Sequence, residues 1–100
     1  MELRIKEILK IKRLTSVWLA SQIDITQPNM SNIVSGKSSP SLETLEKIAD
    51  ALGVSIVELF EPDSEFYGII QYKGVMYRID SIESFERLVR DVYSNPSEKE

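Results

Sequence analysis

Residue types that support most catalysis at neutral pH are missing from this sequence of 100 residues, which has no Cys and no His. Without them the chain cannot form disulfides, bind zinc through thiolates or use imidazole as a general base. Carboxylate pairs such as Glu43 with Glu46 and Glu83 with Glu86 remain, but they are spaced for exposed helix faces. Nothing in their surroundings suggests the desolvation that a general acid needs. The sequence therefore predicts a protein that is not an enzyme and that needs no metal or cofactor.

Amide side chains between residues 26 and 35 indicate a different chemistry. Gln27, Asn29 and Asn32 lie in a short segment rich in hydroxyl and amide groups. Gln and Asn amides can form two hydrogen bonds at once with N6 and N7 of adenine in the major groove of DNA. This readout needs a helix that holds the amides outward, and neighbouring groups that contact phosphate. The segment therefore indicates nucleic acid as a binding partner.

Five short helices are predicted for the first 60 residues, because apolar residues recur there with helical spacing. Thr15 and Thr26 can cap the second and third helices, and Gly36 and Gly53 can end the third and fourth. The predicted helices span residues 3–13, 16–23, 27–35 and 42–52, followed by a short helix opened by a capping box from Ser55 to Glu58. The short loops between them predict a compact all-α domain that contains a helix-turn-helix.

Residues 4–60 resemble the XRE family, which carries a helix-turn-helix domain of the phage-repressor and Cro type. The resemblance lies in the spacing of apolar and polar residues through the second and third helices, and it continues in residues 40–45 and in parts of 48–60. The matching helix-turn-helix residues are Leu19, Ala20, Ile23, Thr26, Gln27, Met30, Ser31, Ile33, Gly36 and Lys37. The resemblance implies a mainly α fold with a five-helix repressor-like domain that binds double-stranded DNA.

The resemblance also implies roles for individual side chains on the DNA-facing side. Positions that contact base edges are held here by Gln27, Pro28, Asn29 and Asn32. Positions that contact phosphate are held by Thr15, Ser16, Thr26, Ser31 and Lys37. The alternative for each of them is an ordinary solvated position on a helix or loop.

Four residues or pairs depart from the family pattern. Asp24 stands where the turn usually has Gly, and Asp tolerates a positive φ better than most residues. Leu9 and Val34 replace a buried Arg–Glu pair, which an apolar pair can do without loss of stability. Ser16 stands where Gln is frequent, so a backbone clamp there is shorter. Trp18 lies on a usually polar stretch; it packs under the C-terminal part of the chain, contacts another protein or lies against DNA sugar.

Charge is distributed unevenly along the chain. The net charge is -4, but residues 1–37 hold six cations against three anions, whereas residues 61–100 hold five cations against nine anions. Charges are screened beyond about 10 Å at physiological salt, so the local balance decides what a surface attracts. The N-terminal segment is therefore the one suited to a polyanion.

A change in composition at residues 61–65 predicts a boundary between a helix-turn-helix domain, 1–62, and a C-terminal element, 66–95. Strands over 66–72 and 75–80 and a helix over 82–93, opened by Asp80 and Glu83, predict a ββα unit. Such a unit is too small to fold alone, so it docks on its own domain, a second copy or another protein. We expect it to form a homodimer through Tyr67, Ile69, Val75, Tyr77 and Phe85.

Together these features predict a sequence-specific regulator of transcription that binds double-stranded DNA. The leading prediction is that it acts as a repressor. The alternatives are an antitoxin-type regulator whose C-terminal element binds a partner protein, and an interaction adaptor with little DNA binding. A ligand-sensing C-terminal element is a further alternative, although the unit is small for that purpose. No apolar run is long enough to span a bilayer, so the sequence predicts a cytoplasmic protein without a membrane partner.

Overall fold

The computed structural model of the chain describes residues 2–61 and 67–93. Over these ranges the chain is mainly helical, with one small antiparallel sheet, as the sequence predicted. In chain order its elements are α1 (Ile5–Lys12), α2 (Ser16–Gln22), α3 (Gln27–Ser35), α4 (Leu42–Leu52), a 3-10 helix (Ile56–Leu59), β1 (Gly68–Tyr72), β2 (Val75–Ile79) and α5 (Ile82–Tyr93). The predicted fifth helix is thus a single 3-10 turn.

The predicted bounds of α3 and α4 are confirmed because both helices carry strong local end signals. The Oγ1 atom of Thr26 accepts a hydrogen bond from the N–H of Asn29 at 3.3 Å and so caps α3. Ser41 caps α4 in the same way, through the N–H of Thr44 at 3.3 Å. Gly36 ends α3 with φ of 86°, in the left-handed region that only Gly enters without a steric penalty.

The predicted start of α1 is wrong, because residues 2–4 pair with a distant part of the chain. The N–H of Arg4 donates to the carbonyl of Leu59 at 2.7 Å, and the N–H of Glu61 donates to the carbonyl of Glu2 at 2.7 Å. These bonds form a short antiparallel bridge at Leu3 and Phe60. The extended backbone delays the helix until Ile5.

The core of the helical domain is built from the inward faces of α1 to α4 and the 3-10 helix. Its most completely buried members are Ile5, Leu19, Met30, Leu42, Leu45, Ile48 and Leu59. Leu9 is buried and Val34 is half-buried against the same cluster, so the departure from the family's ion pair extends the apolar core. Trp18 is also half-buried against the buried cluster, and its packing under the C-terminal part of the chain stays a prediction.

The C-terminal element packs against its own helical domain. β1 and β2 pair in a register that places Ile70 opposite Tyr77 and Gly68 opposite Ile79, and β1 contacts α4. Ile70 and Ile79 are buried, and the ring of Phe85 meets that of Phe60 edge to face with centroids 5.2 Å apart. Phe85 is 0% exposed, so its assignment to a dimer surface is wrong: it belongs to the core of its own chain.

The cap of α5 also differs from the prediction. The Oγ of Ser81 accepts from the N–H of Ser84 at 3.0 Å, and the Oγ of Ser84 accepts from the N–H of Ser81 at 3.2 Å. Two serines therefore start the helix in place of Asp80 and Glu83. The strands end at Tyr72 and Ile79, as their apolar pattern suggested to within a residue. The predicted strand start at Phe66, the boundary residues 62–65 and the tail 94–100 lie outside the described residues.

Candidate nucleic-acid interface

The turn between α2 and α3 fixes how the two helices meet. Asp24 has φ of 60°, so the chain reverses in the left-handed region that was expected at this position. The carbonyl of Ala20 accepts a hydrogen bond from the N–H of Ile25 at 3.1 Å, which closes the end of α2. Ala20 and Ile23 are buried below the turn. The turn is thus held by backbone bonds and packing despite the strain of a non-glycine residue.

α3 separates its apolar and polar residues cleanly. Met30 and Ile33 are buried and Val34 is half-buried. The rest of the helix is exposed, and we call this surface the exposed face of α3: Gln27, Pro28, Asn29, Ser31, Asn32 and Ser35. Among the described residues no protein group is seen bonded to the amides of Gln27, Asn29 and Asn32. All four residues predicted to contact bases therefore lie on one accessible surface.

Two of the predicted phosphate contacts are helix caps. The Oγ1 of Thr15 accepts from the N–H of Trp18 at 3.0 Å, as the Oγ1 of Thr26 does at the start of α3. A hydroxyl that accepts in a cap still has its own hydrogen to donate, and a phosphate oxygen is a suitable acceptor. Both hydroxyls stand at helix N-termini, where the partial positive charge favours anions. Thr15 and Thr26 are exposed, whereas Ser16 is half-buried and less accessible.

Lys37 is tied to the same helix through a backbone carbonyl. The carbonyl of Asn32 accepts from the N–H of Lys37 at 2.8 Å and from the N–H of Ser38 at 3.2 Å. The Oγ of Ser35 donates to the same carbonyl at 3.3 Å. The loop therefore leaves α3 in a fixed direction, and Lys37 itself is exposed. The predicted base contacts on α3 and the predicted phosphate contacts at Thr26 and Lys37 therefore lie on adjoining segments of the chain.

Ionisable groups with shifted pKa values lie away from this surface. The N–H and side chain of Ser55 hold the pKa of the Glu58 carboxyl below its usual value by hydrogen bonding. Burial, and then the charge of Asp50, raise the pKa of Glu46 on α4. Within residues 2–61 and 67–93 no cluster of acidic residues could hold a metal ion. The arrangement thus suits binding through hydrogen bonds and charge and does not suggest catalysis.

A comparison with known families matches residues 4–65 to the Cro/C1-type helix-turn-helix DNA-binding domain. The chain belongs to this Cro/C1-type family. The match covers the whole exposed face of α3, the turn at Asp24 and the helices from α1 to the 3-10 helix. The Cro/C1-type domain therefore includes every residue predicted to contact DNA.

Three curated relatives are similar to the chain. The immunity repressor protein of Bacillus phage phi105 is 40% identical over 85 residues, which is 79% of this chain and 59% of the relative. The HTH-type transcriptional regulator DdrOP3 of Deinococcus deserti is 34% identical over 65 residues, 65% of this chain and 50% of the relative. Control protein C.MunI of a Mycoplasma species is 40% identical over 58 residues, 57% of this chain and 78% of the relative. The chain thus spans 59% of the length of the first and half the length of the second.

A solved structure supports the same domain. A crystal structure of a protein from Bacteroides fragilis superimposes with a TM-score of 0.56 at 40% sequence identity. The alignment covers 58% of this chain and 94% of the other one. At this coverage the likeness concerns a segment the size of the Cro/C1-type domain and leaves much of the present chain unmatched.

The residues predicted for dimerisation do not form one face of the hairpin. Val75 and Tyr77 share the face of the buried Ile70 and Ile79, because paired residues point to the same side of a sheet. Ile69 points to the opposite face and is 59% exposed, and Tyr67 is also exposed. Met76 shares this outer face and is 64% exposed, but it was not among the residues predicted for dimerisation. The period-two alternation between Met76 and the buried Ile79 would have identified it.

No described helix of the chain is both long and apolar enough to span a membrane.

Proposed function

We propose that this protein is a transcriptional repressor that recognises a specific sequence of double-stranded DNA as a homodimer. The observation that carries the proposal is the exposed face of α3 within a Cro/C1-type domain. Gln27, Asn29 and Asn32 read base edges in the major groove, and Pro28 contacts the bases without a hydrogen bond. Thr15, Ser16, Thr26, Ser31 and Lys37 hold the backbone phosphates. Repression follows from occupation of a promoter by the bound protein in the cytoplasm.

The relatives' names support this proposal. One similar protein is named an immunity repressor and another an HTH-type transcriptional regulator. Both are longer than the region they share with this chain, so their names support a role in regulation for the shared region. That half is also where the local charge favours a polyanion, with six cations against three anions over residues 1–37.

The outer face of the hairpin supports the proposed homodimer. Each strand pairs only with the other among the described residues, so each has an unpaired edge. Ile69 and Met76 are exposed on the face that does not pack on the helical domain. A second copy satisfies both features, because an exposed edge and an apolar face pair well across a two-fold axis. Two domains then meet half-sites about 34 Å apart.

Selection of bound sequences from a pool of random duplexes tests the proposal. We expect recovery of a palindrome with half-sites one helical turn apart, bound at least about 10³-fold more tightly than random duplex. DNA recognition is contradicted if no sequence is recovered and the protein does not bind random duplex even at low salt. That outcome supports the adaptor alternative. Stable capture of a toxin encoded beside the gene, with no self-association, supports the antitoxin alternative.

A further inference from the structure

A cleft of about 300 Å³ lies where the end of α3, the loop that follows it and β1 come together. Its apolar wall consists of the buried or half-buried residues Ile33, Val34, Leu45, Phe60 and Ile70. Its polar rim consists of Glu2, Ser35, Ser38 and Ser39. Small-molecule sites begin at about this size, roughly 300–1,000 Å³. The C-terminal element is too small to enclose a ligand by itself, but here it closes a cleft against the helical domain.

The described lining of the cleft is negative at one side and apolar at the other. Glu2 is an exposed acidic residue of the lining, and no Lys or Arg is among the described residues that line the cleft. α3 ends at Ser35, so the negative end of its helix dipole is directed at the same rim. The hydroxyls of Ser38 and Ser39 add acceptors. This combination is complementary to a molecule with a cationic head and an apolar body.

We propose that this cleft binds a small organic cation of the arylalkylammonium class and that the bound cation strengthens DNA binding. The aromatic body lies on the apolar wall and the ammonium group lies at Glu2. Gly36 and Ser38 both line the cleft, so Lys37 is carried by the same loop. A bound cation offsets the negative charge of Glu2 at the cleft, and this raises the attraction of the neighbouring loop for phosphate. The effect on DNA rests on the proposed function, whereas ligand binding does not.

Titration of the full chain with 2-phenylethylammonium, followed by ¹H–¹⁵N NMR, tests the site without DNA. The matched probes are neutral 2-phenylethanol and anionic 3-phenylpropanoate. We expect shifts confined to residues 33–39, 60 and 69–70, with affinity falling from the cation to the neutral probe to the anion. Shifts that map elsewhere, or an anion that binds as tightly as the cation, overturn the proposal.

Two variants with one control sharpen this test. Glu2→Gln should weaken ammonium binding about two- to fivefold, as expected for an exposed charge pair, and leave 2-phenylethanol binding unchanged. Glu83→Gln removes an exposed carboxylate outside the cleft and should have no effect. Val34→Phe fills the cleft and should abolish binding of all three probes, with folding checked by thermal denaturation. Equal losses in Glu2→Gln and Glu83→Gln overturn the charge assignment whether or not Val34→Phe folds.

Fluorescence anisotropy with a labelled duplex tests the coupling. Saturating 2-phenylethylammonium should lower the Kd for DNA about twofold in the original chain at constant ionic strength, whereas saturating neutral 2-phenylethanol should leave it unchanged. An unchanged or higher Kd in the original chain overturns the coupling. Failure to bind any duplex overturns the proposed function instead, and the NMR titration still decides whether the cleft is a ligand site.

Discussion

Asn32 combines two tasks that belong to different parts of the same residue. Its backbone carbonyl accepts hydrogen bonds from the N–H groups of Lys37 and Ser38, while its side chain lies on the exposed face of α3. The loop direction therefore depends on the backbone and the proposed base contact depends on the amide. A substitution that changes only the side chain leaves the loop direction intact, so it tests the proposed base contact.

Asn32→Ala should weaken binding to the selected sequence by about 1–3 kcal/mol and leave binding to random duplex nearly unchanged. The reason is that the amide is lost while the carbonyl still holds Lys37 and Ser38. Anisotropy titrations with both duplexes provide the measurement, and circular dichroism confirms that α3 remains folded. Equal losses on the two duplexes argue that Asn32 contacts the backbone.

Lys37→Ala should reduce the slope of log K against log salt concentration by about 0.9, the value for one phosphate contact. Lys73→Ala is the control, because Lys73 is an exposed lysine in the turn between β1 and β2, outside the Cro/C1-type domain. Binding to random duplex is measured over a range of salt concentrations for each variant. A slope unchanged by Lys37→Ala, or reduced equally by Lys73→Ala, excludes Lys37 as a phosphate contact.

At the scale of elements, the sequence predicted most where local signals at both ends are strong. The bounds of α3 and α4 were correct because Thr26, Ser41, Gly36 and Gly53 act on their own neighbours. The start of α1 was wrong because residues 2–4 bond to residues 59–61, a contact that no short-range pattern contains. The cap of α5 by Ser81 was missed because Asp80 and Glu83 offer the same spacing one residue earlier.

Tyr93 at the end of α5 packs against another aromatic ring and lies near an acidic group of α4. The ring of Tyr93 meets the ring of Tyr72 edge to face with centroids 6.2 Å apart, and the Nζ atom of Lys73 lies 5.3 Å from the Tyr72 centroid. Burial raises the pKa of Tyr93 to about 12, and the nearby charge of Glu46 on α4 adds to the effect. The neutral phenol is therefore the form that the folded chain favours.

Stability should fall as the pH rises from about 10 toward 12, and Tyr93→Phe should remove part of this loss. The unfolded chain releases the phenol proton near the ordinary tyrosine pKa of 10.0, before the folded chain does at about 12, so alkaline pH favours unfolding. Tyr93 is 43% exposed, and solvent screening should keep the difference below about 1 kcal/mol. Thermal denaturation between pH 8 and 11 measures it, with Tyr77→Phe as the control. Parallel pH profiles for the two variants contradict the assignment.

At the scale of the whole molecule, the C-terminal element has one side on its own domain and one side outward. The sequence predicted the ββα unit and its need to dock, but it did not say which residues of the unit face inward. Phe85 was assigned to a partner because its helix is amphipathic, and amphipathicity cannot distinguish an internal surface from an external one. The contact of Phe85 with Phe60 joins residues from two separate segments and is decided only by the packed structure.

The prediction about assembly concerns the outer face of the hairpin, on which Ile69 and Met76 are exposed. The double variant Ile69→Asp with Met76→Asp should convert the dimer to a monomer, because it places charges on both exposed apolar residues of that face. Ile11→Asp is the matched control, since Ile11 is 72% exposed on α1, away from the hairpin. Sedimentation equilibrium over a range of concentrations measures the mass. A strict monomer for the original chain at high concentration, with and without DNA, contradicts dimerisation through this face.

During synthesis on the ribosome, the bridge between Leu3 and Phe60 sets the order in which the parts of the chain become complete. The segment before α1 emerges first but has no partner until Glu61 has left the exit tunnel. The hairpin and α5 emerge later, when the surface of α4 and Phe60 is already in place to receive them. We therefore expect the C-terminal element to pack onto a helical domain that has already folded, since N-terminal units usually fold first as a chain is translated.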